Sequence, residues 1–105
     1  MGAGKVAAQA GHAFLDAFIE ASSKRPDTIE KYKQNHGIKV VLSCPSLGLL
    51  LRAHDDARAA GIPCALITDL GYTLFDGRPT LTALGLGPAL RSEVDHINRD
   101  FTLME

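Results

Sequence analysis

Residues 38–68 read IKVVLSCPSLGLLLRAHDDARAAGIPCALIT and predict the central unit of the fold. The first part, residues 38–44, is β-branched and apolar, which is typical of a buried strand. Residues 46–60 follow with helical periodicity up to Gly61, and residues 62–68 form a second apolar run that predicts another strand. Parallel strands joined by a helix make a right-handed crossover. We therefore expect a parallel strand–helix–strand unit at the centre of the domain.

Further helices and strands are expected on both sides of this unit. They are helices over residues 3–23, 27–35 and 88–98 and strands over residues 80–86 and 101–104. The core-facing side chains of the first helix are expected to be Phe14, Ala17, Phe18 and Ala21. The helix over 46–60 is expected to turn Leu47, Leu50, Leu51, His54 and Ala57 inward. The elements predict an α/β fold, a small mixed β-sheet of three to four strands flanked by helices on both faces.

Length and composition indicate one domain spanning residues 1–105. The chain is 46% hydrophobic with a formal net charge of −1, which excludes a disordered protein. A chain of this length buries roughly 65% of its unfolded surface, enough for a core without disulfides. The purely aliphatic stretches are as short as Leu49–Leu51, which ends at Arg52. Since a membrane-spanning helix needs ~20 apolar residues, we expect no membrane association.

The cysteines and histidines favour neither a disulfide framework nor a metal site. Cys44 and Cys64 are the only cysteines, and both lie in apolar runs, so we expect buried free thiols. Free thiols indicate a reducing, cytoplasmic setting. No two histidines have the i, i+4 spacing of a helical metal site. We therefore expect no metal and no cofactor.

Charge is distributed unevenly along the chain. Residues 1–40 contain six basic and four acidic residues, which gives +2, whereas residues 41–105 contain five basic and eight acidic residues, which gives −3. A strongly basic nucleic-acid binder is excluded by this balance. Any contact with nucleic acid is expected in the first third, where Lys31 and Lys33 lie close together.

The start of the first helix combines glycines with a lysine. Gly4 and Lys5 open the helix, where free backbone N–H groups and an ammonium group bind anions well. A P-loop is excluded because Val6 stands where Ser or Thr would hold Mg²⁺. Gln9 and His12 share the helical face of Lys5, so this face either lines a cleft or is simply solvated. The alternative for Gly4 and Lys5 is a frayed, solvated terminus.

Asp69 follows a predicted buried strand, at the end of the strand where sites form in α/β sheets. Gly71 allows a turn that brings Thr73 back toward Asp69. The alternative is an ordinary aspartate that begins a turn.

Four blocks of sequence together resemble one known family. They are residues 1–13 (MGAGKVAAQAGHA), 39–42 (KVVL), 65–73 (ALITDLGYT) and 82–88 (TALGLGP). In this order they resemble the type 2 peptidyl-tRNA hydrolases of archaea and eukaryotes. The resemblance implies a mixed sheet flanked by helices and metal-independent hydrolysis of the ester that joins a peptide to the terminal ribose of tRNA.

The resemblance also implies the site. The expected catalytic residues are Lys5, Asp69, Thr73 and Thr82. The residues expected to bind peptidyl-tRNA are Gly4, Gln9, His12, Lys31 and Lys33. Because the connection after Thr73 is longer than is usual in the family, Thr80 is an alternative to Thr82.

Two features leave a second function open. The family pattern begins with a strand ahead of the glycine–lysine motif, whereas this sequence starts after it. We expect that position to be filled by residues upstream of Met1, by a neighbouring chain in a homodimer or by residues 101–104. The net charge of −1 is low for a tRNA-binding protein. Both features favour a non-catalytic protein- or RNA-binding member of the fold, whereas the complete set of catalytic residues favours the enzyme.

Overall fold

The first helix organises the structure. The computed structural model describes residues 2–69 and 80–104, and in it α1 covers Ala3–Lys24. The buried side chains of α1 recur every fourth residue: Gln9, Ala13, Ala17 and Ala21. The expected core positions Ala17 and Ala21 are confirmed, whereas Phe14 and Phe18 are only half-buried. Small side chains along one stripe let a helix approach its neighbour closely.

The remaining elements follow in the expected order. The helices are α2 (Pro26–Gln34), α3 (Leu47–Ala59) and α4 (Arg91–Asn98), and the strands are β1 (Leu42–Ser43), β2 (Cys64–Asp69), β3 (Thr80–Leu86) and β4 (Thr102–Leu103). The start of α3 is capped by Ser46, whose Oγ accepts a hydrogen bond from the Leu49 N–H at 3.2 Å. The strand expected over 80–86 is confirmed with the same bounds. None of the helices in the described part is long and apolar enough to cross a membrane.

β2 and β3 pair antiparallel and carry helices on both faces. Leu84 and Leu86 of β3 pack on the α3 side, against a core cluster of Ala53, Ala57, Ile62, Cys64 and Ile97. Gly85, which lies between the two leucines, faces α1. Alternate residues of a strand point to opposite faces, so β3 separates α1 from α3. The α/β class with helices on both faces is confirmed.

The expected parallel crossover is wrong. β1 pairs antiparallel with β4, and β2 pairs antiparallel with β3, so the described residues form two separate two-stranded sheets. The strand expected over 38–44 is reduced to Leu42–Ser43, and Ile38 and Val40 are 71% and 57% exposed. Apolar β-branched sequence predicts a strand but not the neighbour that would bury it. Residues 101–104 do add an edge strand, which pairs with β1 and not with β2.

The buried face of α3 also differs from the expected one. Ala53 and Ala57 are buried, whereas Leu47 and Leu51 are exposed. The short alanine side chains let α3 lie close to β2 and β3, which turns the longer leucines outward. Of the two thiols expected to be buried, Cys64 is buried and Cys44 is only half-buried.

α1 touches β3 without an intervening side chain. A Cβ atom added at Gly85 would lie 2.2 Å from the Ala13 carbonyl oxygen and 3.0 Å from Ala17 Cβ. Only glycine permits this approach, because any larger residue meets helix backbone rather than a flexible side chain.

Two side-chain clamps hold α1 and its end against the rest of the fold. Glu20 Oε2 accepts a hydrogen bond from the Cys64 N–H at 2.8 Å, at the start of β2. Arg25 donates to the Gly61 carbonyl at 3.0 Å and to Glu93 at 2.9 Å. The hydrogen bond from Lys24, with help from the Cys64 N–H, lowers the pKa of the Glu20 carboxyl below its usual 4.5, although burial acts in the opposite direction.

The Gly85 contact predicts the cost of a single methyl group. We expect Gly85→Ala to lower the free energy of unfolding by about 3 kcal/mol, at the upper end for overpacking, because α1 must move away from β3. Gly11→Ala is the matched control: a Cβ there meets nothing within 4 Å, and alanine favours the helix, so stability should rise by up to about 1 kcal/mol. Urea unfolding of both variants checks this, and a Gly85→Ala variant as stable as the native chain would contradict the packing.

The Glu20 clamp predicts a pH dependence of stability. Because the pKa of Glu20 is lowered on folding, its contribution is present above about pH 4.5 and is lost as the pH falls through the folded-state pKa. Glu20→Gln should therefore cost about 1 kcal/mol at neutral pH, and the difference from the native chain should shrink in acid. Glu30→Gln removes only the exposed Lys33–Glu30 pair and should cost less than half as much. A Glu20 effect that is independent of pH in thermal unfolding would argue against the ionised clamp.

Candidate functional site

An irregularity in the β2–β3 ladder positions Thr82. Ile67 pairs with Ala83 and Thr68 pairs with Leu81, so Thr82 is an extra residue on β3. In a regular strand Thr82 would point to the same face as Leu84, toward α3. The bulge turns it instead toward α1, where its hydroxyl donates to Gln9 Oε1 at 2.5 Å.

Gln9 receives this hydrogen bond from within the alanine stripe of α1. Its side chain is 5% exposed, and it is the only buried polar residue in the described part of the chain. Thr82 Oγ1 also lies 3.5 Å from the Ile67 carbonyl oxygen. A buried amide is stable only when it is hydrogen-bonded, so Gln9 and Thr82 depend on each other.

One helical turn before Gln9, Lys5 forms an ion pair with the last residue of β2. Lys5 Nζ lies 3.0 Å from Asp69 Oδ2, and the two side chains are 23% and 13% exposed. Asp69 stands opposite Thr80 in the β2–β3 register. Low exposure strengthens the attraction between the charges and limits their movement. A carboxylate and an ammonium group therefore meet where α1 begins and β2 ends, one helical turn from Gln9 and the Thr82 hydroxyl.

A groove of about 360 Å³ runs beside these groups. It is lined by Gln9, His12, Asp16, Leu66, Ile67, Thr68 and Asp69. The helical face that carries Gln9 and His12 therefore lines a cleft, the first of the two alternatives for that face. A larger hollow of about 560 Å³ lies between α3 and α4 and includes none of the expected site residues.

The remaining expected residues are not among the described residues that line the groove. Gly4 is exposed on the first turn of α1, and Thr73 is outside the described residues. Lys31 and Lys33 are on α2, which packs beside the far half of α1 through the Phe18–Tyr32 ring contact. Thirteen residues of helix separate Lys5 from Phe18, about 20 Å at 1.5 Å per residue. The two lysines therefore do not line the groove. Within residues 2–69 and 80–104 no three His, Cys, Asp or Glu side chains cluster as metal ligands would.

Sequence reasoning missed the bulge and the groups that depend on it. The Ile67 carbonyl and the Thr68 side chain reach the site because the ladder shifts between these two residues. The only hint was the repeated threonine at 80 and 82, which regular alternation places on one face. Both threonines lie near the end of β2, Thr80 opposite Asp69 and Thr82 beside Gln9.

Comparison with known proteins gives one consistent result. The family model described as "Peptidyl-tRNA hydrolase PTH2" matches residues 1–104. A protein named peptidyl-tRNA hydrolase from Methanocaldococcus jannaschii is 36% identical over 104 residues, which cover 99% of this chain and 90% of that protein. A protein of the same name from Halobacterium salinarum is 39% identical, and the match covers 98% of this chain and 88% of that protein. Another from Methanopyrus kandleri is 37% identical, and the match covers 96% of this chain and 85% of that protein. The chain therefore belongs to the peptidyl-tRNA hydrolase PTH2 family.

Proposed function

We propose that this chain hydrolyses the ester bond of peptidyl-tRNA in the groove beside Lys5, Asp69 and Thr82, releasing peptide and tRNA. The observation that carries the proposal is the ion pair of Lys5 with Asp69 beside the Gln9–Thr82 hydrogen bond. These groups belong to a chain that matches the hydrolase family over almost its whole length. Their chemistry is that of ester hydrolysis by side chains, with no cofactor required.

The reaction needs an oriented water, a proton acceptor and a donor to the oxyanion. Asp69 accepts a proton from the water, whose oxygen bonds to the ester carbonyl carbon. The carbonyl oxygen becomes an oxyanion, which the Lys5 ammonium and the Thr82 hydroxyl stabilise. When the bond to the ribose oxygen breaks, the proton held by Asp69 passes to that oxygen. Thr73 enters this scheme through the family resemblance alone, as a group that orients the water.

The substrate is long enough to touch several parts of the surface. The α1 terminus at Gly4 offers free N–H groups to a phosphate near the ester. His12 lies in the groove, where a peptide or the terminal nucleotide is accommodated. Lys31 and Lys33 are exposed on α2 and suit phosphates farther along the tRNA.

The proposed enzyme acts in translation in the cytoplasm. It is one domain over residues 1–105, and the family model spans nearly all of this chain.

A homodimer is a further part of the proposal. Its support is the exposed apolar side chains of Ile38 and Val40 just ahead of β1, because exposed apolar residues next to an edge strand favour pairing with a second chain. Light scattering after size exclusion, on the native chain and on an Ile38→Lys variant, separates a dimer from a monomer.

The Lys5–Asp69 pair predicts the effect of neutralising the carboxyl group. We expect Asp69→Asn to lower the rate of peptide release from purified peptidyl-tRNA at least about 100-fold, because the proton acceptor is lost. Asp55→Asn, at an exposed position of α3, serves as the control and should leave the rate unchanged. Circular dichroism establishes that both variants are folded. An Asp69→Asn variant with native activity would refute this site.

The native chain in the same assay separates the two functions. A folded chain that binds peptidyl-tRNA without cleaving it would favour the binding module over the enzyme. Cleavage that disappears with Asp69→Asn would establish the enzyme.

The lysines of α2 predict a different kind of effect. Replacing Lys31 and Lys33 by alanine should raise KM and leave kcat unchanged, since these side chains are distant from the groove. Each lost phosphate contact should reduce the slope of log affinity against log salt by about 1. Arg91→Ala, on α4, is the matched control and should preserve both KM and the slope. A fall in kcat with unchanged KM would contradict a purely electrostatic role.

A further inference from the structure

We propose that Gln9 is a positioning residue that sets the direction of the Thr82 hydroxyl hydrogen, so that Thr82 donates to the substrate only when the Gln9 amide donates to Thr82. This inference rests on the proposed function, because it concerns how Thr82 acts on the ester. It assigns to Gln9 a role different from direct substrate binding. The juxtaposition behind it is the 2.5 Å contact between Gln9 Oε1 and Thr82 Oγ1.

The Thr82 hydroxyl carries a single hydrogen. Thr82 can donate one hydrogen bond and accept two. It lies between two acceptors, Gln9 Oε1 at 2.5 Å and the Ile67 carbonyl oxygen at 3.5 Å. While its hydrogen points to Gln9, Thr82 has nothing to donate to an oxyanion. This orientation of the Thr82 hydroxyl is therefore a resting state, in which the hydroxyl cannot donate to substrate.

The Gln9 amide can reverse its role toward Thr82 from acceptor to donor. A glutamine amide has an acceptor oxygen on one side and a donor NH₂ group on the other. Half a turn about its last side-chain bond exchanges the two, and this terminal bond rotates easily. The NH₂ group then donates to Thr82 Oγ1, and the hydroxyl hydrogen is released toward the groove. The transition state selects this second arrangement, because only there does the added donor meet the developing oxyanion.

Backbone contacts hold Gln9 and Thr82 beside each other. The bulge fixes Thr82 on β3, and the contact of Ala13 with Gly85 fixes α1 one helical turn after Gln9. Both backbones are therefore fixed, and the rotation of the amide is the remaining freedom. Burial of Gln9 keeps water from taking either hydrogen bond.

Gln9→Glu tests the inference because a carboxylate accepts hydrogen bonds and cannot donate one. At neutral pH the variant should hold the Thr82 hydrogen permanently, so kcat should fall about 30- to 100-fold while KM changes less than twofold. As the pH approaches about 5, protonation of the introduced carboxyl restores a donor. The ratio of variant kcat to native kcat should then rise. Taking the ratio removes the pH dependence of the assay that both proteins share.

Two further variants separate positioning from a structural effect. Gln9→Met removes both the amide donor and the amide acceptor, and the Ile67 carbonyl oxygen is then the remaining one of the two acceptors for the Thr82 hydrogen. The kcat of this variant should fall, because no amide turns the hydrogen toward the groove, and its ratio to the native kcat should stay constant with pH. Thr82→Val removes the hydroxyl, and in that background Gln9→Glu should cause no further loss, because Gln9 acts only through Thr82. Three results would overturn the inference. One is a double variant in which the kcat losses of Gln9→Glu and Thr82→Val multiply. The others are a ratio of Gln9→Glu kcat to native kcat that does not change with pH, and a Gln9→Glu variant with native kcat.

The outcomes also distinguish this inference from the proposed function. A folded native chain that does not hydrolyse peptidyl-tRNA overturns the proposed function and the inference with it. If the native chain is active and the Gln9→Glu variant has the same kcat and pH dependence, the inference alone is overturned. If Gln9→Glu does not fold, Gln9→Met is compared in the native and Thr82→Val backgrounds. A loss confined to the native background supports the inference, and equal losses in both overturn it.

Discussion

The direct contact between the backbone of α1 and Gly85 of β3 is the constraint on which the site depends. Starting from this contact, α1 runs back one turn from Ala13 to Gln9, about 6 Å, and β3 runs back three residues to Thr82, about 10 Å. Helix and strand remain close enough over this distance for Gln9 and Thr82 to bond. One more turn brings Lys5 to the end of β2. The positions of Lys5 and Gln9 relative to the strands are therefore set by a residue that carries no side chain.

The site combines rigid elements with a charge balance unusual for a protein that acts on RNA. Lys5 lies on a helix and Asp69 and Thr82 lie on strands, so their positions depend little on loop conformation. The formal charge of −1 means that attraction to tRNA must come from local groups and not from the whole molecule. The ion pair keeps Lys5 and Asp69 together, so the Lys5 ammonium group is already beside this carboxylate.

Much of this arrangement could be predicted from the sequence, and the failures have a common cause. The strand over 80–86 and the location of Asp69 at a strand end follow from local patterns of apolar residues. The parallel crossover does not, because an apolar run such as residues 38–44 does not specify which strand pairs with it. The orientation of Thr82 could not be predicted either, since it depends on a bulge that shifts the register of two strands distant in sequence. Local patterns specify elements, whereas pairing and register arise from tertiary packing.

The separation of β1 and β4 from the central pair has a consequence for local unfolding. β1 and β4 are two residues long, bond to each other and carry half-buried or exposed side chains. Such a ladder opens at low free-energy cost, whereas β2 and β3 are held between helices and open only with the core. Amide hydrogens of Leu42 and Leu103 should thus exchange with solvent long before those of Leu66 and Leu84. Within residues 2–69 and 80–104 this weakly held ladder lies apart from the groove, so the edge can fray repeatedly while the groove keeps its shape.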